Sequence, residues 1–289
     1  MRGHARIFFP QDFSLVDCHT VNRVLRATAV AAAIGLTARA IVADAQNAAT
    51  PDELAQNPDS FLVPPPEAVC NALAKVPNVD FTKLAGLAAP PIDVEKMKAM
   101  SPSAKAVHLG VRAADAYVAV QAKDQAAFVR ASDAISTLSR EFALNDTMFR
   151  KITTANKMAE SGRWNDLRIV LETFRGDVLR ELKLNRDQDA VTLATFGGWL
   201  RGLQLSTLAL AAHYDADATR LLRQPALVAH LKRRLNALGP DAKEEAFVEL
   251  AENRIEDIRK ITDGPASAPI KADDVKRLNG IANELMGAL

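Results

Sequence analysis

The sequence predicts an all-α fold, a multi-helix bundle of antiparallel helical hairpins with roughly eight to ten helices behind an irregular proline-rich N-terminal arm. Three observations carry this. Of 14 prolines, nine lie between Pro51 and Pro102 and none between Ser103 and Gln224, so a long tract is free of the residue that breaks helices. Aromatic residues make up only 5% of the chain while alanine and leucine abound, a composition that favours helix propensity and close helix packing. Through the proline-free tract, apolar residues recur at steps of three and four, the period of a helix with one buried face.

Taken in order, the chain begins with residues 1–20, MRGHARIFFPQDFSLVDCHT, which show neither helical nor strand periodicity. Arg23 and Arg26 then precede Ala27–Ala38, a short apolar run, with small-residue cleavage patterns at Ala38-Arg39-Ala40 and Ala43-Asp44-Ala45. A charged start, a short apolar centre and A-x-A form a secretory signal peptide, so residues 21–45 are expected to direct export and be cleaved after Ala45. Translation is expected to begin at Val21, leaving residues 1–20 as a mis-assigned extension. Arg39 stops the apolar run well short of the ~20 residues a membrane span needs, and a periplasmic or secreted protein without an integral span is the expectation.

Residues 46–102 form the arm. Pro64-Pro65-Pro66 opens a short helix over Glu67–Lys75, since proline suits a first helical turn, and Asp80–Leu87 is a second short piece stopped by Pro90-Pro91. Phe61, Leu62, Phe81 and Leu84 would wrap this segment onto the main domain, residues 103–261. There, Ser101 or Ser103 caps a helix running to Gln121, and Ala122-Lys123-Asp124 breaks before Ala126–Phe142. Asn145-Asp146 caps Thr147–Glu160, and Ser161-Gly162 ends it.

Arg163–Leu184 follows, with Trp164, Leu167, Leu171, Phe174, Val178 and Leu182 inward and Asp166, Arg168, Glu172, Arg175, Asp177, Arg180 and Glu181 on a solvated face. Pro225 opens the helix to Leu238. Asp241–Ile261 carries acids first and bases last, matching the helix dipole. Residues 262–271 read as a linker and 272–289 as a C-terminal helix offering Val275, Leu278, Ile281 and Leu285 to a partner. Two hairpin breaks in the early domain resemble the alternation of tetratricopeptide repeats, but the residue pattern of that repeat is absent.

The stretch Ala190–Tyr214 stands apart. It is apolar on nearly every side, as a buried helix is, with Arg201 and Gln204 its only strongly polar interior side chains. Ala194, Gly198 and Gly202 fall every fourth residue, a ridge of small side chains along which another helix can pack. A buried arginine requires an acid or several carbonyls, and Asp115 is the first expected partner, with Glu172 and Asp189 in reserve.

Chemistry-bearing motifs are few. The chain has 36 basic and 35 acidic residues, without the basic footprint of a nucleic-acid binder. Cys18 and Cys70 form no CxxC. No HExxH, nucleophile elbow, phosphate loop or dinucleotide fingerprint is present, so no metal, cofactor or catalytic residue is assigned and an enzyme is not expected. The leading expectation is an exported, non-enzymatic binding or scaffold module with a protein partner or small ligand. The alternative is a small-ligand or metal-binding bundle. His108, Arg112 and Asp115 share one helical face, and with Trp199, Arg201 and Gln204 they would line a polar groove. In that groove Arg201 either pairs with an acid as structure or waits for an anion.

Overall fold

Side-chain N-caps written in the sequence start six of the α-helices in the computed structural model, which describes Pro66–Leu289 apart from Ile92 and Ala266. The expected extension, the signal peptide and the arm before Pro66 lie outside the described residues. Two short arm helices, α1 (Pro66–Leu73) and α2 (Phe81–Gly86), are joined by a third, α3 (Val94–Ala99). The sequence reading missed α3 because it offers one buried side chain, Met97, too little to set up a period. Its N-cap Asp93 accepts from the Glu95 and Lys96 N–H groups, which explains why so short a helix forms.

The main bundle begins with α4 (Pro102–Ala122). The Ser101 hydroxyl accepts from the Ala104 N–H at 3.0 Å, and Lys123, in the left-handed region at φ 55°, ends the helix. Asp124 caps α5 (Gln125–Glu141) and Asn145 caps α6 (Asp146–Glu160). Gly162 at φ 69° turns the chain into α7 (Trp164–Leu184), and Asp187 caps α8 (Gln188–Ala212). A 3-10 turn, η1 (Ala218–Leu222), leads to α9 (Pro225–Asn236), α10 (Pro240–Lys243), α11 (Ala246–Thr262) and α12 (Ala272–Gly287). Among the described residues there are only helices, and none is long and apolar enough to cross a membrane.

Cross-helix bonds record the antiparallel hairpins. Lys105 pairs with Glu141 at 2.8 Å between α4 and α5, Ser132 donates to Asn156 at 2.7 Å between α5 and α6, and Lys151 pairs with Asp177 between α6 and α7. Lys232 and Glu256 link α9 to α11 at 2.7 Å. Helix α8 threads the centre, with Phe196, Leu200 and Leu210 wholly buried.

Three features depart from the sequence reading. The single helix expected over Asp241–Ile261 breaks at Glu245, whose extended backbone lets its carboxylate accept from the Ser101 hydroxyl at 2.6 Å. The expected linker is fixed: Arg223 donates to the Ala268 carbonyl at 2.7 Å and to that of Pro269 at 3.1 Å, while the Ile270 N–H reaches the Thr219 hydroxyl at 2.8 Å. Helix α12, expected to present its stripe to a partner, spends it inside this chain. Val275, Leu278 and Leu285 are fully buried, and Arg254 of α11 holds Glu284 at 2.8 Å. At about 25 cal/mol per Å² of apolar surface, closing that stripe on the bundle is the favourable course for a chain that already carries a matching surface.

Candidate functional site

Everything around the candidate site is set by how closely α4 and α8 cross. A Cβ on Gly110 would lie 1.8 Å from the Ala194 carbonyl oxygen, and one on Gly197 would lie 2.2 Å from that of Val107. Backbones this close exclude any side chain, so glycine is required at both positions. Gly198 lies on the edge of the crossing, its Cβ position 3.4 Å from the Gly110 oxygen. Ala194 is in the contact, as the ridge reading expects. Gly202 is not: it faces the Val69 side chain of α1 at 3.9 Å, because the two helices have diverged by that turn.

On one side of the crossing lies the polar cluster. The Arg201 Nε donates to Asp115 at 2.7 Å, its Nη2 to the Leu87 carbonyl at 2.6 Å, and its Nη1 to Gln204. Arg112 donates to the carbonyls of Ala89 and, at 2.6 Å, Pro90, and the second Asp115 oxygen accepts from the Ala89 N–H at 3.2 Å. Gln204 passes the network on to Asn283 of α12 at 2.8 Å. Arg201 and Asp115 are 6% and 1% exposed at their side chains, so their bonds are made away from water. The structure thus brings Arg112, Asp115, Arg201 and Gln204 together, with Asp115 the partner of Arg201, and turns them on the main chain between α2 and α3. They clamp the arm to the bundle.

Two groove candidates fall elsewhere. His108 sits a turn back, its ring nitrogens shut from solvent without a hydrogen bond of good geometry. Burial, and after it the Arg112 charge, holds this imidazole below the usual histidine value, while the nearby Leu289 main chain opposes them. Trp199 projects to the opposite side of α8, half-buried against Phe196 with ring centroids 5.6 Å apart.

That opposite side holds a cavity of about 120 Å³. Its walls come from α1, α4, α7 and α8, with η1 and α11 contributing, and include Leu109, Phe174, Val178, Trp199, Gly202 and Leu203. Few polar groups reach it. Among them are Ser206, whose buried hydroxyl has no hydrogen-bond partner among the described residues, and Arg175 of α7. Burial holds the Arg175 guanidinium below the ordinary arginine value, only partly offset by Tyr117 across the cavity wall. Among the described residues Arg175 makes neither a hydrogen bond nor an ion pair.

The sequence reading placed Arg175 and Asp177 on a solvated face. Both flank the apolar stripe of α7 on its inward edges, and Asp177 is 8% exposed, bridged by Lys151 and Arg180. Their place next to Phe174 and Val178 is the signal that was available. Gly110 was equally open to notice, a lone glycine within an otherwise apolar helix. No cluster of three or more metal-ligating side chains occurs among the described residues. No protein-family model matches the chain, and neither a curated protein nor a solved structure is detectably similar to it.

Proposed function

We propose that this chain is an exported, non-enzymatic binding protein whose small ligand occupies the cavity between α4, α7 and α8. The observation that carries the reading is the cavity itself, about 120 Å³ of largely apolar space between the helices of the bundle. Native interiors seldom leave voids larger than a water molecule, and ligand sites are concave, mostly apolar and furnished with a few placed polar groups. Spaces between bundle helices are a usual location for them. The polar groove is the weaker candidate for a ligand site. Arg201 and the two terminal nitrogens of Arg112 are already committed to Asp115, Gln204 and arm carbonyls, which supports a clamp. Export rests on the sequence pattern of residues 21–45 alone.

A neutral apolar fluorophore, N-phenyl-1-naphthylamine, tests the reading. The full chain should bind it at one saturable site with the emission rise of a dry environment. Gly202→Leu fills the cavity from a wall position with nothing closer than 3.9 Å to its Cβ; it should abolish binding while keeping the parent melting temperature. Equal binding by the parent and Gly202→Leu would place the probe elsewhere and end the proposal.

A further inference from the structure

Arg175 is the one feature of the cavity that an apolar ligand does not explain. Arginine on a helix face ordinarily finds an acid three or four residues away, and Glu172 stands three residues before it. No pair forms between them; Arg175 instead lines the cavity, half-buried, with no acceptor among the described residues. Removing a charge from water without pairing it is unfavourable by several kcal/mol in general, so a guanidinium held this way is either unfavourable for nothing or waiting for an anion. The same lining carries the Ser206 hydroxyl, buried at 1% exposure and also lacking a partner among the described residues. The rest of the described wall is mostly hydrocarbon from Leu, Val, Phe and Ala side chains, with Tyr117, Thr195, Gln224 and Thr262 among its polar members.

We propose that the cavity takes a single-tailed anionic amphiphile, a carboxylate on an apolar chain, with Arg175 as the anchor of the carboxylate and the apolar wall covering the tail. This rests on the reading of the cavity as a ligand site and specifies its ligand. The planar fork of a guanidinium accepts two carboxylate oxygens side by side, and the pairing strengthens where water is excluded. One cation balances one carboxylate. A phosphate monoester carries about −1.5 to −2 at neutral pH, and the described lining offers no second cation for it: among the described residues Arg175 is the only charged side chain there. Burial already disfavours the charged Arg175, and an arriving carboxylate would reverse that, so charge pairing and ligand capture occur in one event.

Matched titrations of the full chain with dodecanoate, dodecanol and dodecyl phosphate, followed by calorimetry, test it. A charge-assisted pair contributes about 1.5–3 kcal/mol, so the parent should prefer dodecanoate to dodecanol by about 10- to 150-fold. Arg175→Leu should erase this preference while leaving dodecanol affinity intact, and Arg175→Lys should keep part of it. Equal affinity of the parent for dodecanoate and dodecanol, or a preference that survives in Arg175→Leu, overturns the head-group assignment and leaves the cavity reading standing. Tighter binding of dodecyl phosphate than of dodecanoate overturns the carboxylate. A parent chain that binds none of the three, its cavity filled by another part of this chain or by a second copy, overturns both the assignment and the reading beneath it.

Discussion

The two sides of the α4–α8 pair use arginine in opposite ways. Arg201 has spent its guanidinium on Asp115, Gln204 and the Leu87 carbonyl, and around it the arm closes over the helices. Arg175 faces the other side of the pair from α7 with no bond made among the described residues. The same residue type gives a fastener at the buried Arg201 and, in the proposed reading, a ligand anchor at the half-buried Arg175. What separates them is the supply of acceptors. The clamp side has an aspartate and a length of irregular main chain whose carbonyls are free of helix bonds, while the cavity side is walled by helices that consume their own carbonyls. A buried arginine therefore reads as structure or as ligand site only once its acceptors are counted.

The largest effect expected on this comparison comes from the seam that separates the two sides. Gly110→Ala places a methyl carbon 1.8 Å from the Ala194 carbonyl oxygen, and since the obstacle is backbone, the helices must move apart. Overpacking of this kind costs about 3 kcal/mol or more. Gly198→Ala, with 3.4 Å to spare, should be close to neutral because alanine gains helix propensity. Urea denaturation of both variants checks the contrast, and equal stability would mean that the helices do not cross at Gly110.

Next in size is the clamp. Arg201→Leu and Asp115→Leu each strand a buried charge, at a cost of about 3–5 kcal/mol, and the double variant should recover much of the loss. Because Arg112 also holds the arm at Ala89 and Pro90, recovery should leave the arm docked, readable as unchanged proteolysis between α2 and α3. Strictly additive losses in the double variant would show that the two side chains act apart.

A smaller effect belongs to His108, which borders the clamp without joining it. Its imidazole is held below 6.5 in the folded chain, first by burial and then by Arg112. The unfolded chain therefore binds the proton more readily. The sign follows: this contribution is fully present above about pH 6.5 and is lost as pH falls through the lowered folded value. His108→Phe should flatten the stability profile below pH 6.5 relative to the parent. Parallel profiles would mean that the ring is open to water.

How much of this was legible beforehand differs between the two sides. The clamp could be read because Arg201 is conspicuous, a charge in the middle of the apolar run Ala190–Tyr214, and a buried charge has to be answered. Asp115 could be ranked as its partner because it lies on a helix just as apolar. The helices themselves were legible from caps and period, down to Lys123 and Gly162 as stops. Arg175 was legible only as a neighbour of Phe174 on the apolar stripe, and the cavity was not legible. On an amphipathic helix with many charges, one arginine at the edge of the apolar stripe looks like its neighbours, and a void leaves no mark in a sequence. Trp199 was grouped with the polar residues by closeness along the chain, although two residues on a helix turn it to the far side from Arg201. The docking of α12 was misread for a related reason: an apolar stripe states that it will be covered, and says nothing of what covers it.

The last test is the one with the smallest expected effect, and it bears directly on the difference between the arginines. Among the described residues Arg175 makes no bond, so Arg175→Leu removes a desolvated charge and adds apolar surface to a largely apolar wall. Replacing an unpaired buried polar group with a hydrophobic one of similar reach is neutral or stabilising. The denaturation midpoint should therefore stay within about 0.5 kcal/mol of the parent or rise, where Arg201→Leu falls by several. The variant must be compared after ligand is stripped under denaturing conditions and the chain refolded, because a bound carboxylate would lend the parent stability through Arg175. With ligand left in place, the parent should gain over the variant by an amount that grows with ligand concentration. Should stripped Arg175→Leu instead lose about 3 kcal/mol, the side chain has an acceptor in the folded chain after all. Both arginines would then be fasteners, and the two faces of the helix pair would do the same work.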